Sequence, residues 1–174
     1  GFVPFVFLGP VRTSKFWKNR KATKALAVAK HDDERSLDLF VSYSSKDRAE
    51  VLELVEALRD CGYNLWVDQG DIHGASRWSE QIVSAIESAP AFLLIGSTSS
   101  FASHNVIKET SLASENCKHL IPIFIEEAVV PQSLQYQLAG LQHVEYSAQD
   151  KEGGVRRIVE ALDRLGIVPS GQEG

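Results

Sequence analysis

Ala91-Phe92-Leu93-Leu94-Ile95-Gly96 is a run of six residues without a polar side chain, set between two stretches of helical periodicity. Such a run is the signature of a strand covered on both faces, as strands of parallel sheets are. The neighbouring segments repeat the theme. Residues 37–43 read as a strand and 46–61 as an amphipathic helix with Val51, Leu54, Ala57 and Leu58 on one stripe, stopped by Gly62. Tyr63 to Val67 is a second strand, a polar loop from Gln69 to Ser76 follows, and a helix occupies about 77–88. Beyond Gly96, the pattern predicts a helix over 104–117, a strand from His119 to Ile125, a short helix near 132–138, a strand near 141–146 and a last helix near 152–165. Strand and helix thus alternate about five times, which argues a doubly wound α/β fold with a parallel sheet. Pro122, inside the fourth strand, is expected near a sheet edge because it has no N–H to donate.

The chain of 174 residues is long enough for one domain with a sizeable core and an appendage. Three parts are expected: an arm over 1–36, the α/β domain over 37–166 and a tail over 167–174. The arm begins with apolar Phe2 to Leu8, interrupted by Pro4, and continues with Arg12, Lys15, Lys18, Arg20, Lys21 and Lys24, without an acid before Asp32. It reads as a membrane-proximal segment through residues 1–24, an arm packed on a partner domain, or a linker with a solvated basic helix. Its apolar part is too short to span a bilayer. Lack of methionine and a start at Gly1 suggest a piece of a longer protein. A net charge of −5 argues against nucleic acid as partner. Cys61 and Cys117 show no CxxC or Cys/His ligand spacing, so a reduced, cytoplasmic setting is expected.

In a parallel sheet the carboxyl ends of the strands share one rim, where ligands bind. That rim collects Ser42 to Lys46, Asp68 to Asp71 and Ser97 to Ser100. Its hydroxyls can hydrogen-bond a sugar or phosphate, but neither a GxGxxG nor a GxxxxGK[ST] phosphate loop is present. Two glutamates enter helices beside it. Glu80 has Arg77 three residues away and complements a positive helix end, the features of a surface acid. Glu109 shares a helical face with Asn105, Leu112 and Ala113, none of them a cation. Spacing alone leaves Glu109 either a solvated acid or a carboxylate that holds a ribose or stabilises an oxocarbenium ion as a leaving group departs. Trp78, Ile82, Ala85 and Ala89 share one face, so Trp78 also fits as the start of an apolar stripe. The five histidines have no ligand pattern, which leaves no metal site, and there is no G-x-S-x-G nucleophile elbow.

The segments DLFVSYSSKD, GYNLWVDQGDIHGASRWSEQIVSAIES, FLLIGSTSSFASHNVIKET and LIPIFIEE, in this order and spacing, resemble the Toll/interleukin-1 receptor (TIR) domain over roughly residues 37–165. The likeness is nearest to bacterial-type, NAD-cleaving members. It implies a flavodoxin-like three-layer fold with a five-stranded parallel sheet. By the same resemblance, Glu109 is the catalytic glutamate and Trp78 lines the nicotinamide pocket. Tyr43, Ser44 and Lys46 line the nucleotide side, and Asp68 opens the so-called BB loop, Asp68 to Ser76. The implied activity is an NAD glycohydrolase of immune or defence signalling, with NAD as substrate rather than cofactor and with self-association through the BB loop. The alternative is a non-catalytic adaptor that acts by TIR–TIR association. One departure is Asn105, where many relatives have tryptophan four residues before the glutamate.

Overall fold

The computed structural model describes residues 36–67 and 75–172, with the side chains of residues 75–78 and 172 left aside. The expectations for residues 1–35 and for the loop at 68–74 lie outside the described residues. Five strands form one sheet: β1 Leu39–Ser42, β2 Leu65–Val67, β3 Ala91–Gly96, β4 His119–Phe124 and β5 Val144–Glu145. Every pairing is parallel and the strand order is β2-β1-β3-β4-β5. Six helices flank it: α1 Arg48–Asp60, α2 Ala75–Ser88, α3 Thr98–Phe101, α4 His104–Glu115, α5 Gln132–Leu138 and α6 Lys151–Arg164. Among the described residues no helix is long and apolar enough to cross a membrane.

The period-two geometry of the strands sorts the core into two layers. Leu39, Val41, Leu93 and Ile95 join Leu54, Leu58, Ile158 and Leu162 of α1 and α6 on one face. Phe40, Phe92 and Leu94 join Ile86, Val106, Ala113 and Leu134 of α2, α4 and α5 on the other. Phe40 and Phe92 stack with centroids 5.3 Å apart across the β1–β3 pairing. All six residues of β3 are buried, as its unbroken apolar composition requires. On α1, Val55 is fully buried and Ala57 only partly, so the buried stripe is one residue off the expected one.

Three boundaries differ from the sequence reading. The last strand is only Val144–Glu145, because it pairs with the end of β4 alone. A short helix, α3, follows β3, with Ser97 accepting a hydrogen bond from the Ser100 N–H at 2.9 Å. Within the expected tail, Ile167 is buried, and Ser170 donates from both N–H and hydroxyl to Asp38 at 3.1 and 2.9 Å. Asp38 also accepts from the Asn64 N–H at 2.8 Å, so one buried carboxylate joins the entry of β1, the entry of β2 and the C-terminal turn.

Pro122 lies in β4, an interior strand, opposite Leu94 of β3. Its tolerance there is a matter of direction. The Phe124 carbonyl accepts from the Tyr146 N–H, so Phe124 points its backbone away from β3, and alternation points Pro122 the same way. β5 reaches only as far back as Ile123, so the absent N–H faces no strand.

Tyr63 and Tyr146 are buried on the α1/α6 face. Burial, with smaller contributions from nearby acids, pushes both phenols from 10 up to about 12. The folded state therefore keeps these protons to higher pH than the unfolded chain does. The stability they contribute is intact below pH 10 and is lost as pH rises through about 12. Spectroscopic titration should show Tyr63 and Tyr146 ionising only in that upper range, with unfolding following them.

Candidate functional site

The last residue of β1 and the second turn of α4 meet at the carboxyl rim. Alternation along β1 places Ser42 on the same face as Phe40, toward α4. There its hydroxyl donates to Oε2 of Glu109 at 2.5 Å. Ser42 is fully buried and Glu109 is only 7% exposed. A solvated surface acid, one of the two roles left open by spacing, is therefore excluded. The helix that carries Glu109 starts where it does because Ser103 caps it, accepting from the Val106 N–H at 3.4 Å. Asn105, one turn earlier and about 6 Å back along the helix axis, is exposed.

A second hydrogen-bonded group joins the turns that follow β1 and β3. Asp47 Oδ2 accepts from the hydroxyls of Ser97 at 2.6 Å and Ser100 at 3.2 Å. The Ser100 hydroxyl in turn accepts from the Ser44 N–H at 3.0 Å. Ser44 caps the 3-10 turn Ser45–Asp47, accepting from the Lys46 N–H at 3.4 Å. The connections after β1 and β3 run to opposite faces of the sheet, so this is the switch point where a doubly wound fold opens a crevice. Here the two turns are instead tied together. Next to them, burial raises the Glu50 carboxyl above its usual range, Asp47, Glu53 and Glu126 add to the rise, and Lys151 opposes it.

The expected site residues separate. Glu109 is buried against the end of β1. Tyr43 is buried in the apolar cluster with α1 and α6, the opposite face of the sheet, so the structure does not bring its ring to Glu109. Alternation explains this, since the residue after Ser42 must point the other way. Ser44 is buried as a turn cap rather than presented as a ligand group, and Lys46 is exposed beside it. Asp68 lies outside the described residues. Trp78 is in the first turn of α2, and Glu80 on the same helix is exposed, as a surface acid should be. The even spacing of Ser42 from Phe40 is the sequence signal that puts it on the α4 face.

Other candidates take no part in this group. His104 is exposed at the start of α4, and His143 lies against Phe124 with ring centroids 4.8 Å apart. Cys61 and Cys117 are free thiols, and burial raises Cys61 above its ordinary range. A shallow cleft of about 570 Å³ is lined by Thr98, Phe101, Ala102, Glu127, Ala128, Val129 and Pro131. It excludes both Ser42 and Glu109, and its lining offers no base or nucleophile beyond Glu127 and Thr98.

The sequence profile of the TIR domain matches residues 39–159, well over half of the chain. No curated protein sequence matches it. Among solved structures, the chain is similar to the TIR domain of the Toll-related receptor TRR-2 of Hydra magnipapillata, at 22% identity and a TM-score of 0.61, covering 74% of this chain and 99% of that one. The TIR domains of the activated Roq1 resistosome align at 14% identity and a TM-score of 0.55, over 73% of this chain and 99% of theirs. A CMP N-glycosidase of Clostridium botulinum, BcmB, aligns at 14% identity and a TM-score of 0.51, over 70% of this chain and 98% of its own. Likeness at these identities speaks for the fold alone.

The tie across the switch point has a measurable stability. Asp47→Ala leaves two fully buried hydroxyls without their acceptor, at a cost of about 1–3 kcal/mol. Asp47→Asn, whose amide oxygen still accepts, should lose less. Urea denaturation with an unchanged m-value is the measurement, and equal losses in both variants would refute the hydrogen-bond account.

Proposed function

Because the chain belongs to the Toll/interleukin-1 receptor (TIR) domain family by the profile match over residues 39–159, we propose that it is an NAD glycohydrolase with Glu109 as its catalytic carboxylate. The reaction breaks the bond between ribose C1′ and the nicotinamide nitrogen. The bonding pair goes to nicotinamide, whose positive ring nitrogen becomes neutral. Water adds its oxygen to C1′ and releases a proton, giving ADP-ribose; attack from the adenine of the same molecule would instead give a cyclic product. Glu109 would act on the positive charge that develops at C1′, and nicotinamide needs little acid assistance to leave.

The observation that carries this reading is the burial of Glu109 against the Ser42 hydroxyl at the strand end. Removing a carboxylate from water costs several kcal/mol before its contacts offset this. A group that only closed the helix surface would be cheaper as a neutral residue, and such sites are enriched in function. The fold neighbour named as a CMP N-glycosidase supports the idea that this architecture accommodates cleavage of an N-glycosidic bond. Trp78, at the start of α2, is the candidate ring for nicotinamide, and exposed Lys46 the candidate contact for a phosphate. The adaptor reading draws on exposed Asn105, where many relatives have an aromatic, and on Tyr43, which packs away from Glu109. It requires no turnover.

We place self-association in the same scheme, with the BB loop of one copy completing the pocket of the next. The loop sequence contains Gly70 and Gly74 for movement and Ile72 as an isolated apolar side chain that gains from burial. Such a head-to-tail contact need not close, so it builds filaments as readily as dimers. Defence signalling and a trigger from a partner domain belong to this proposal.

Glu109→Gln should abolish nicotinamide release by concentrated protein without unfolding it, while Glu80→Gln stays active. Turnover by Glu109→Gln at the wild-type rate would return Glu109 to a structural role. Specific activity should rise with protein concentration and fall in Ile72→Asp; a constant value over about a hundredfold dilution, with a monomer by light scattering, rules assembly out.

A further inference from the structure

Ser42 is in the wrong place to be a bystander. It ends β1, a strand hydrogen-bonded to β2 on one side and β3 on the other, and its hydroxyl is fully screened from water. Its Oγ lies 2.5 Å from Oε2 of Glu109, at the short end for an O–H donor on an oxygen acceptor. We infer that Ser42 is a positioning residue for the reaction, holding the Glu109 carboxylate at the angle and depth where it faces ribose C1′. The inference rests on the glycohydrolase reading of Glu109 and adds to it a residue outside the ligand-lining set.

The physical case comes from the freedom of the glutamate side chain. Three rotatable bonds separate its carboxylate from the α4 backbone, so the angle of the terminal plane is set by the groups that hydrogen-bond it. Ser42 is a donor fixed on a paired strand and restricts that angle. It does so from the sheet, whereas Glu109 is carried by a helix, so the bond also ties the position of α4 to the end of β1. In a buried setting no water competes for the bond, and it is stronger than the same contact at a surface. Electrostatic stabilisation of a developing cation depends on such fixed orientation, because a carboxylate that must reorient during the reaction loses much of its effect.

The competing explanation is that Ser42 merely satisfies a buried carboxylate, with no bearing on chemistry. The two differ in what moves when the hydroxyl is removed. A positioning role acts on the chemical step, whereas a packing role acts on folding and ligand affinity together.

The test compares wild type, Ser42→Ala and Ser42→Thr of the full chain. Three quantities are read: steady-state nicotinamide release, affinity for the uncleavable analogue carba-NAD by calorimetry, and thermal unfolding. Ser42→Ala should lower kcat about thirty- to hundredfold, the scale of a small misplacement of a catalytic group, with KM and carba-NAD affinity within about threefold of wild type. Ser42→Thr keeps a hydroxyl at the same point and should regain most of that loss. If Ser42→Ala proves too unstable to assay, Ser42→Cys, which fills the site but donates weakly, is read in the same way. A kcat within about threefold of wild type in the hydroxyl-free variant overturns the inference. So does a parallel collapse of carba-NAD affinity and stability with no separate loss in kcat. Wild-type protein that releases no nicotinamide at any concentration sinks the glycohydrolase reading and this inference together, whereas an active wild type beside an equally active Ser42→Ala sinks only the role of Ser42.

Discussion

The parallel pairing of β1 with β3 brings Leu39 opposite Ala91 and Ser42 opposite Leu94, and so sets the level at which both segments leave the sheet. Because these two strands are buried on both faces, neither can slip: a shift of one residue would carry Phe40 and Phe92 into the α1/α6 layer and Leu39 and Leu93 out of it. The register then dictates what stands at the rim. Ser42 emerges toward α4, Tyr43 toward α1 and α6, and the turns after the two strands come close enough for Asp47 to take both Ser97 and Ser100. The rim geometry is a consequence of core packing several residues below it.

Two hydrogen-bonded groups use that geometry differently. Asp47, Ser97, Ser100 and Ser44 tie the turns at the switch point, and each hydroxyl among them is engaged within the protein. The Ser42–Glu109 pair lies on the α2/α4 side of the sheet. The tied turns hold the ends of β1 and β3 together, and in the glycohydrolase proposal the chemistry falls to Glu109. A carboxylate held in place suits the task of stabilising charge, since fixed groups need no reorganisation as that charge develops. The opposite end of the sheet carries its own anchor, Asp38, which gathers the start of β1, the start of β2 and Ser170. Ser36 and the C-terminal turn therefore lie at the end of the sheet opposite the rim.

Much of this was legible in the sequence because its causes are local. Apolar continuity marked β3, and stripes three and four residues apart marked α1 and α2. The identity of Glu109 as the glutamate of interest came from resemblance, as spacing alone left it open. Short elements were harder: α3 has four residues and β5 two, too few for any period to register. Pro122 misled because a rule about edges concerns the direction of one N–H, which depends on where β5 stops.

By itself the sequence determined the α/β alternation, the parallel sheet and the family, since hydrophobic period and motif order are written along the chain. The tertiary structure alone decided that Ser42 meets Glu109 across sixty-seven positions of sequence, that Tyr43 turns away from it, and that Ser44 caps a turn instead of facing outward. Those outcomes depend on which strands pair, in which register, and which helix covers which face. Such choices are made by long-range packing, and no local pattern encodes them.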